Sequence, residues 1–249
     1  MKITIITAVL NSKNFIENCI QSVLHQNYKN IEHIVIDGGS SDGTLNIVHK
    51  YQSGIAELVS ERDDGIYDAM NKGIRLATGD VVGILNADDF YPAPVILEKV
   101  AQVFENEDIA SCYGDLEYVD AVDTGKVARY WRSGPYDVNK FYLGWMPPHP
   151  TFFVRRSVYQ RYGLFNLSLG SAADYELMLR FLVKHRITAA YIPEVIVKMR
   201  TGGVSNASMK NRIRANRMDR KAWSVNNLKP FPWTLFFKPL RKVHQFIVR

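Results

Sequence analysis

The fold is decided by the stretch Val81-Val82-Gly83-Ile84-Leu85-Asn86-Ala87-Asp88-Asp89. Its apolar first half is typical of a buried strand, and the second half places an amide and two carboxylates at the carboxyl end of that strand. Open α/β sheets bind their ligands at this edge. Adjacent carboxylates repel each other unless a cation or solvent compensates, and oxygen ligands without Cys or His favour Mg²⁺ or Mn²⁺. The alternative is that Asp88 or Asp89 caps a helix that begins near Pro94.

Length, composition and cysteine content bound the class of protein. The 249 residues, 47% of them hydrophobic, suffice for one large domain or two small ones. Cys19 and Cys112 lack metal-site spacing, and we expect reduced core thiols in a cytoplasmic protein. The apolar run that follows Met1 is too short for a signal peptide and predicts a first strand instead. The sequence contains no stretch of about 18 apolar residues, so no membrane span is predicted.

The net charge of +6 conceals a strong asymmetry along the chain. Residues 1–197 hold 18 Lys and Arg against 24 Asp and Glu, whereas residues 198–249 hold 13 Lys and Arg against Asp219 alone. A basic segment of this kind indicates a polyanionic partner, which is a membrane surface, a nucleic acid or a phosphorylated ligand.

The first half of the chain alternates strand and helix patterns, which is typical of a sheet covered by helices. Lys2–Thr7 is the first strand, and Asn11 or Ser12 is expected to cap a helix that runs to His25. A second strand at Ile31–Ile36 and a third at Ala56–Ser60 follow.

The second strand leads into Asp37-Gly38-Gly39-Ser40-Ser41-Asp42-Gly43-Thr44. A carboxylate at this edge accepts hydrogen bonds from a base or ribose, the glycines allow tight turning, and backbone amides before a helix near Thr44 face phosphate. The alternative is a plain turn rich in Asp, Ser and Gly. The spacing is not that of the G-x-G-x-x-G fingerprint, which argues against an NAD site.

A helix is predicted over Ile66–Ala77 because apolar residues recur on one face. The predicted buried stripe is Ile66, Ala69, Met70, Gly73, Ile74 and Ala77. Asp68, Asn71, Lys72 and Arg75 lie off this stripe, and the plain interpretation is a solvated helix face.

Two features of the second half are candidates for chemistry. His149 follows a stiff proline-rich loop, near a crowd of aromatic side chains that suits either a core or a sugar-stacking surface. Asp174 lies in the first turn of a helix whose buried stripe begins at Leu177. A carboxylate there is either a helix cap or a general base.

Taken in order, these motifs strongly resemble the family 2 glycosyltransferases of GT-A fold. The ordered set is Thr7, Asp37 to Thr44, Asp64-Gly65-Ile66-Tyr67-Asp68-Ala69-Met70-Asn71-Lys72-Gly73, Ala77-Thr78-Gly79-Asp80 and Asn86-Ala87-Asp88-Asp89. The resemblance implies an α/β fold with a single Rossmann-like mixed sheet flanked by helices. It extends to about Ser205, with a nucleotide-sugar half at 1–115 and an acceptor half at 116–205, and leaves residues 206–249 as a basic amphipathic extension.

The resemblance also implies roles for single residues. Asp174 would be the catalytic base, and Asp88 with Asp89 would bind Mg²⁺ or Mn²⁺. The nucleotide sugar would be held by Thr7, Asp37, Gly38, Asp64, Asn71, Lys72, Asn86, Ala87 and Arg200. Arg200 would contact the diphosphate from a flexible loop at Val197–Ser205. Asn86 departs from the family pattern, which often has Asp there, so its place among the ligands is open.

The C-terminal extension combines cations with apolar residues at helical spacing. Lys210–Lys221 is a basic helix pattern, and the apolar set after Pro230 and Pro232 is Trp233, Phe236, Phe237, Leu240, Val243, Phe246 and Ile247. The pattern favours an interfacial anchor on a membrane. The alternative is a helix docked on its own domain or on a homodimer partner. Nucleic acid is not expected, because no recognised binding fold accompanies the charge.

The expected function is therefore that of an inverting, metal-dependent glycosyltransferase. It would move a sugar from a nucleoside diphosphate sugar, with UDP favoured, to a hydroxyl of a glycan or lipid-linked acceptor in surface polysaccharide biosynthesis. The place of action would be the cytoplasm or the cytoplasmic face of the membrane. A nucleotidyltransferase with the same metal site and a non-catalytic carbohydrate-binding protein are the alternatives.

Overall fold

A computed structural model describes residues 1–202 and 209–238, and for residues 209–215 it describes only the backbone. The nine strands in this part of the chain form one mixed sheet. The strands are β1 (Ile3–Val9), β2 (Ile31–Asp37), β3 (Glu57–Ser60), β4 (Val81–Ile84), β5 (Asp89–Phe90), β6 (Ser111–Val119), β7 (Val127–Trp131), β8 (Phe153–Arg155) and β9 (Ala189–Arg200). Their order is β3-β2-β1-β4-β8-β6-β9-β5, with β7 paired to β6. The GT-A fold expected from the sequence is thus present.

The sheet divides into a parallel part and a mixed part. β1 pairs in parallel with β2 and β4, and β2 with β3. β8 is antiparallel to both β4 and β6, while β9 runs parallel to β6 and antiparallel to β5. The carboxyl ends of the parallel strands consequently meet at one edge, which places Asp37 opposite Val9.

Helices cover both faces of the sheet. They are α1 (Ile16–Leu24), α2 (Thr44–Lys50), α3 (Ile66–Leu76), α4 (Ile96–Val103), α5 (Asn139–Tyr142), α6 (Arg156–Tyr162), α7 (Ala173–Met178) and α8 (Met209–Val225). Short 3₁₀ segments lie at Gln52–Gly54, His149–Thr151 and Leu167–Ala172, and α7 continues as π-helix at Leu179–Lys184.

The side-chain alternation of β1 separates two hydrophobic layers, as expected for a strand buried on both faces. Ile6 and Ala8 pack in the layer that contains α3, α7 and α8, whereas Ile3 and Ile5 pack in the layer with α1 and α4. Cys19 and Cys112 are free and buried, as predicted.

The predicted cap of the first helix is wrong. Neither Asn11 nor Ser12 caps α1, which starts only at Ile16 and has no side-chain cap. Asn11 Oδ1 accepts the Ser41 amide instead, and the Ser12 amide donates to Thr44 Oγ1. The alternative in which Asp88 or Asp89 caps α4 is excluded as well, since Asp89 lies in β5 and α4 begins at Ile96.

The segment before Arg200 is a strand and not a loop. β9 runs without interruption to Arg200, where it pairs with β6, and near its end with β5. The predicted flexible loop at Val197–Ser205 is therefore wrong for Val197–Arg200, and residues 203–205 lie outside the described part. In α3, Ile66 is 47% exposed and does not belong to the buried stripe.

The described part of the C-terminal extension packs on the layer that contains α7. Ala222, Trp223 and Leu235 are buried in the layer that contains α7. Trp223 Nε1 donates to the Tyr175 hydroxyl at 2.9 Å, and Lys238 pairs with Asp219 at 2.7 Å. The docked arrangement is thus present up to Lys238, while the apolar residues Leu240, Val243, Phe246 and Ile247 lie outside the described residues.

Candidate functional site

Asp37 organises the turn at the end of β2. Its carboxylate is fully buried and accepts the amides of Gly39 and Ser40, both at 3.1 Å, and the hydroxyl of Ser60 at 2.7 Å. A Cβ at Gly38 would lie 2.5 Å from an Asp63 oxygen, so the absence of a side chain at Gly38 lets Asp63 approach the turn. Asp37 and Asp63 therefore line one side of the sheet edge.

The amides of this turn are bonded within the protein. Ser41 donates its amide to Asn11 Oδ1, and Thr44 donates its own to Asp42 Oδ1. Together with the two amides held by Asp37, these contacts leave no row of free amides for a phosphate. The expected phosphate-facing amides are accordingly not found between Gly39 and Ser41.

A cavity of about 570 Å³ opens beside this turn. Its lining is Arg62, Asp63, Asp64, Asp68 and Lys72. The Asp64 carboxylate is exposed, and the Lys72 ammonium lies 2.8 Å from Glu61 and 3.6 Å from Asp68. Asp64 and Lys72, two of the predicted nucleotide-binding residues, thus line one cavity together with Asp63.

Two other predicted nucleotide ligands have internal partners. The Thr7 hydroxyl has no exposed surface and lies 3.0 Å from His33 Nε2, on the face of the sheet that α1 covers. Asn71 is 2% exposed and uses both side-chain atoms on the backbone of Phe165. These side chains are occupied inside the protein, so neither is retained in the proposed binding surface.

The acidic motif after β4 contains two buried oxygens without a hydrogen-bond partner. Asn86 Nδ2 donates to Asp89 Oδ2 at 3.2 Å, which leaves Asn86 Oδ1 and Asp89 Oδ1 unsatisfied. Burial, and then the charge of Asp88, raises the pKa of Asp89 well above its usual range. Asp88 is partly exposed, and Ala87 is buried against the α1 side of the sheet.

These oxygens fit a hard divalent cation. Burying an unpaired oxygen is costly, and a cation would compensate both orphaned atoms as well as the adjacent Asp88 carboxylate. Across the described residues, no three His, Cys, Asp or Glu side chains converge on one point. A cation here would need further ligands from diphosphate and water, which is the usual coordination of Mg²⁺.

Arg200 ties the last sheet strand to the acidic motif. Its guanidinium donates to the Asp88 carbonyl at 2.7 Å and to Asn18 Oδ1 at 2.8 Å, and it lies over the rings of Phe15 and Phe90. The side chain is 7% exposed, and its Nε has no partner. The structure therefore brings Arg200 to the backbone of the acidic motif, and it does so from a strand.

Asp174 lies at the start of α7, where its carboxylate accepts the amide of Tyr175 at 2.7 Å. Burial raises the pKa of Tyr67, and the Asp174 charge raises it further. Burial lowers the pKa of His149, an effect that Asp174 partly offsets. The charge of Asp174 thus acts on both Tyr67 and His149, of which only His149 was a candidate from the sequence.

The pKa of Tyr118 responds to charges from both halves of the chain. Burial raises the pKa of its hydroxyl, Arg129 lowers it, and the charges of Asp89 and Asp174 both raise it. The Arg129 guanidinium stacks 3.8 Å above the Tyr118 ring.

Sequence reasoning missed Asp63, Tyr67 and Tyr118. The signal for Asp63 was its position beside Asp64 and opposite the small Gly38. Tyr67 carried a signal as well, because it lies in the first turn of α3, close in sequence to Asp64 and Asp68. Tyr118 had none, since its place depends on long-range strand pairing.

The fold and the site define the class of a GT-A glycosyltransferase, and comparison with known proteins gives the family. The profile of glycosyl transferase family 2 matches residues 4–163. A PGL/p-HBAD biosynthesis glycosyltransferase of Mycobacterium tuberculosis is 30% identical over 82% of this chain and 78% of its own length. An uncharacterized glycosyltransferase of Rickettsia typhi is 28% identical over 99% of this chain and 75% of its own. The chain belongs to glycosyl transferase family 2.

Solved structures agree on the fold. Residues 1–349 of S. aureus TarS superpose with a TM-score of 0.70 at 19% identity, covering 97% of this chain and 71% of that one. The mannosyltransferase PcManGT of Pyrobaculum calidifontis, in complex with GDP-Man and Mn²⁺, gives a TM-score of 0.66 at 20% identity, with 95% and 68% covered. The chain spans 41% of a longer TarS chain. Over the described residues, no helix has the length and apolarity needed to cross a bilayer.

Proposed function

We propose that this glycosyltransferase is inverting and metal-dependent, and that it transfers a sugar from a UDP-sugar to a hydroxyl of a glycan or lipid-linked acceptor. The observation that carries the proposal is the pair of buried oxygens without a partner, Asn86 Oδ1 and Asp89 Oδ1, next to the partly exposed Asp88. Arg200 binds the backbone carbonyl of Asp88 at 2.7 Å, so a cationic side chain lies at the same edge of the sheet.

The donor would lie along the edge formed by Asp37, Gly38 and the 570 Å³ cavity. Asp37 is buried and holds the amides of Gly39 and Ser40, so it would position this turn against the base or ribose. Asp64 and Lys72 would contact the nucleotide at the cavity opening. The TarS complexes with UDP and UDP-GlcNAc support a uridine nucleotide. The GDP-Man complex of PcManGT supports a guanosine nucleotide as the alternative donor.

The diphosphate would lie beside the acidic motif and Arg200. Asp88 would be the main protein ligand of the cation, and Asp89 and the unpartnered oxygen of Asn86 would be further ligands. When bound, Mg²⁺ or Mn²⁺ supplies positive charge to the leaving diphosphate, where negative charge grows in the transition state. Mn²⁺ in the PcManGT complex supports this choice of metal. Arg200 would orient the Asp88 backbone and offer its guanidinium to the diphosphate.

Asp174 would act as the general base. It would take the proton from the acceptor hydroxyl while that oxygen attacks the anomeric carbon on the face opposite the diphosphate. The glycosidic bond forms as the bond to diphosphate breaks, so the anomeric centre inverts. A single displacement needs no second carboxylate nucleophile, in contrast to retaining glycoside hydrolysis. His149, kept neutral by burial, would line the acceptor side.

The name of a relative and the charge of the C-terminal extension support the proposed acceptor and place of action. The mycobacterial relative is named for PGL/p-HBAD biosynthesis, which supports a biosynthetic role in a bacterial surface glycan. The excess of cations after Lys198 supports action at the cytoplasmic face of a membrane.

A screen of nucleotide sugars with Mn²⁺ tests the proposal. A donor that binds the folded state raises the melting temperature according to its saturation, and slow donor hydrolysis then releases nucleoside diphosphate. We expect both signals from one UDP-sugar. Pyrophosphate release from a nucleoside triphosphate would identify a nucleotidyltransferase instead. Sugar binding without nucleotide binding or hydrolysis would identify a carbohydrate-binding protein.

A further inference from the structure

Four aromatic side chains lie exposed in the short segment 231–237. The exposed fractions are 48% for Phe231, 49% for Trp233, 65% for Phe236 and 38% for Phe237. The rings are neighbours, with 5.4 Å between the centroids of Phe231 and Trp233 and 6.1 Å between those of Phe236 and Phe237. Single exposed apolar residues are ordinary, but a contiguous aromatic cluster indicates an interaction surface.

The segment is exposed on one side only. Thr234 Oγ1 donates to the Tyr142 carbonyl at 2.6 Å, Leu235 is 7% exposed, and Lys238 is held by Asp219. The inward residues fix the backbone, so the outward aromatics are presented by an anchored segment. Amphipathic segments that lie in a membrane interface have this arrangement.

The C-terminal extension that carries the cluster is positively charged. Asp219 is the one carboxylate in residues 198–249, and it is buried and paired with Lys238, so it does not offset the surface charge. The exposed cations of the described segment include Arg217, Arg220, Lys221 and Lys229. Each cation near an anionic bilayer strengthens binding by about fivefold.

We infer that segment 231–237 is a docking surface for an anionic lipid bilayer. Trp and Phe are suited to the boundary between head groups and acyl chains, and the surrounding cations complement anionic lipids. A second copy of the chain would bring the same cations face to face, which disfavours self-association through this surface.

The docking surface is tied to the helix that carries Asp174. Lys238 Nζ lies 3.4 Å from the centroid of the Tyr175 ring, and Trp223 donates to the Tyr175 hydroxyl. The bilayer would therefore hold the acceptor half of the enzyme close to a lipid-linked acceptor. This orienting role rests on the proposed function, whereas bilayer binding itself does not.

Co-sedimentation of the full chain with lipid vesicles tests the inference. We expect binding to phosphatidylcholine vesicles that contain phosphatidylglycerol, and at least tenfold weaker binding to phosphatidylcholine alone. The double substitution Trp233→Ser and Phe236→Ser should weaken binding to the anionic vesicles by about tenfold or more. Val122→Ser is the matched control, because Val122 is 93% exposed in the β6–β7 hairpin and should leave binding unchanged.

Three results would overturn the inference. The first is that the wild-type chain fails to bind the anionic vesicles. The second is equal binding by the wild type and the double variant. The third is a change from dimer to monomer in the double variant without vesicles, measured by light scattering, because the surface would then join two copies. The rise in melting temperature on addition of a donor is measured in parallel. If the chain binds anionic vesicles but no nucleotide sugar raises its melting temperature, the proposed function is contradicted and the docking surface is not.

Discussion

The side-chain amide of Asn71 holds the backbone of Phe165 with two hydrogen bonds. Asn71 Nδ2 donates to the Phe165 carbonyl at 3.0 Å, and the Phe165 amide donates to Asn71 Oδ1 at 2.9 Å. The Phe165 ring contacts the rings of Tyr67, at 5.3 Å between centroids, and His149, at 5.6 Å. This clamp joins α3 to the segment before α7, and we expect it to give Asn71 a positioning role.

Replacing Asn71 should therefore affect catalysis more than donor binding. We expect Asn71→Ala to lower the free energy of unfolding by about 2–4 kcal/mol, because two buried backbone groups lose their partners. The displaced Phe165 should lower kcat while the Kd of the donor changes little. Urea unfolding, isothermal titration with donor and initial rates measure the three quantities. Arg75→Ala, an exposed position on the same helix, serves as control. Weaker donor binding with unchanged stability would restore Asn71 as a nucleotide ligand.

Arg200 should be sensitive even to a conservative change. A Lys ammonium cannot reach both the Asp88 carbonyl and Asn18, nor lie flat against Phe15 and Phe90. We expect Arg200→Lys to weaken binding of the nucleotide sugar with Mn²⁺ by about tenfold, as charged hydrogen bonds are lost. Isothermal titration measures the change.

A matched control for Arg200 lies in the same strand. Lys198 pairs with Glu117 at 3.3 Å, and neither residue belongs to the proposed site. Lys198→Met should leave donor affinity unchanged. Equal affinities in wild type, Arg200→Lys and Lys198→Met would refute the role proposed for Arg200.

His33 predicts a pH dependence of stability. Burial lowers the pKa of His33 from 6.5 to about 4. The unfolded state then binds more protons between these values, so the stability is complete above pH 6.5 and falls as the pH drops toward 4. The loss attributable to His33 is roughly 3 kcal/mol. Denaturant unfolding from pH 4 to 7 should give a shallower pH slope for His33→Met than for the wild type, and parallel slopes would show that His33 does not titrate in this way.

The sequence predicts the first half of the fold well because local patterns and sheet geometry agree there. The run Val81–Leu85 and the strand before Asp37 are buried, and parallel pairing with β1 brings their carboxyl ends together. The position of Asp37 and the acidic motif at the same edge of the sheet then follows from the α/β topology alone.

Long-range packing explains what the sequence could not provide. Asn71 lies off the apolar stripe of α3 and looked exposed, but Phe165 covers it from 94 residues away. Arg200 looked like a loop residue, because nothing local reveals that β9 continues to pair with β6 and β5. The docking of Trp223 on Tyr175 likewise depends on tertiary contacts, so the sequence left the anchor and the docked helix as alternatives.

The most direct test of the account is transfer by Asp174→Asn. The amide keeps the size of the side chain but cannot take the acceptor proton, whereas the donor edge at Asp37 and Asp88 is untouched. With the UDP-sugar found in the screen, its acceptor and Mn²⁺, we predict loss of transfer by at least a factor of about 100. The donor Kd should stay within about twofold of the wild-type value. Transfer at a near wild-type rate would contradict the assignment of Asp174 as the base and, with it, the proposed mechanism.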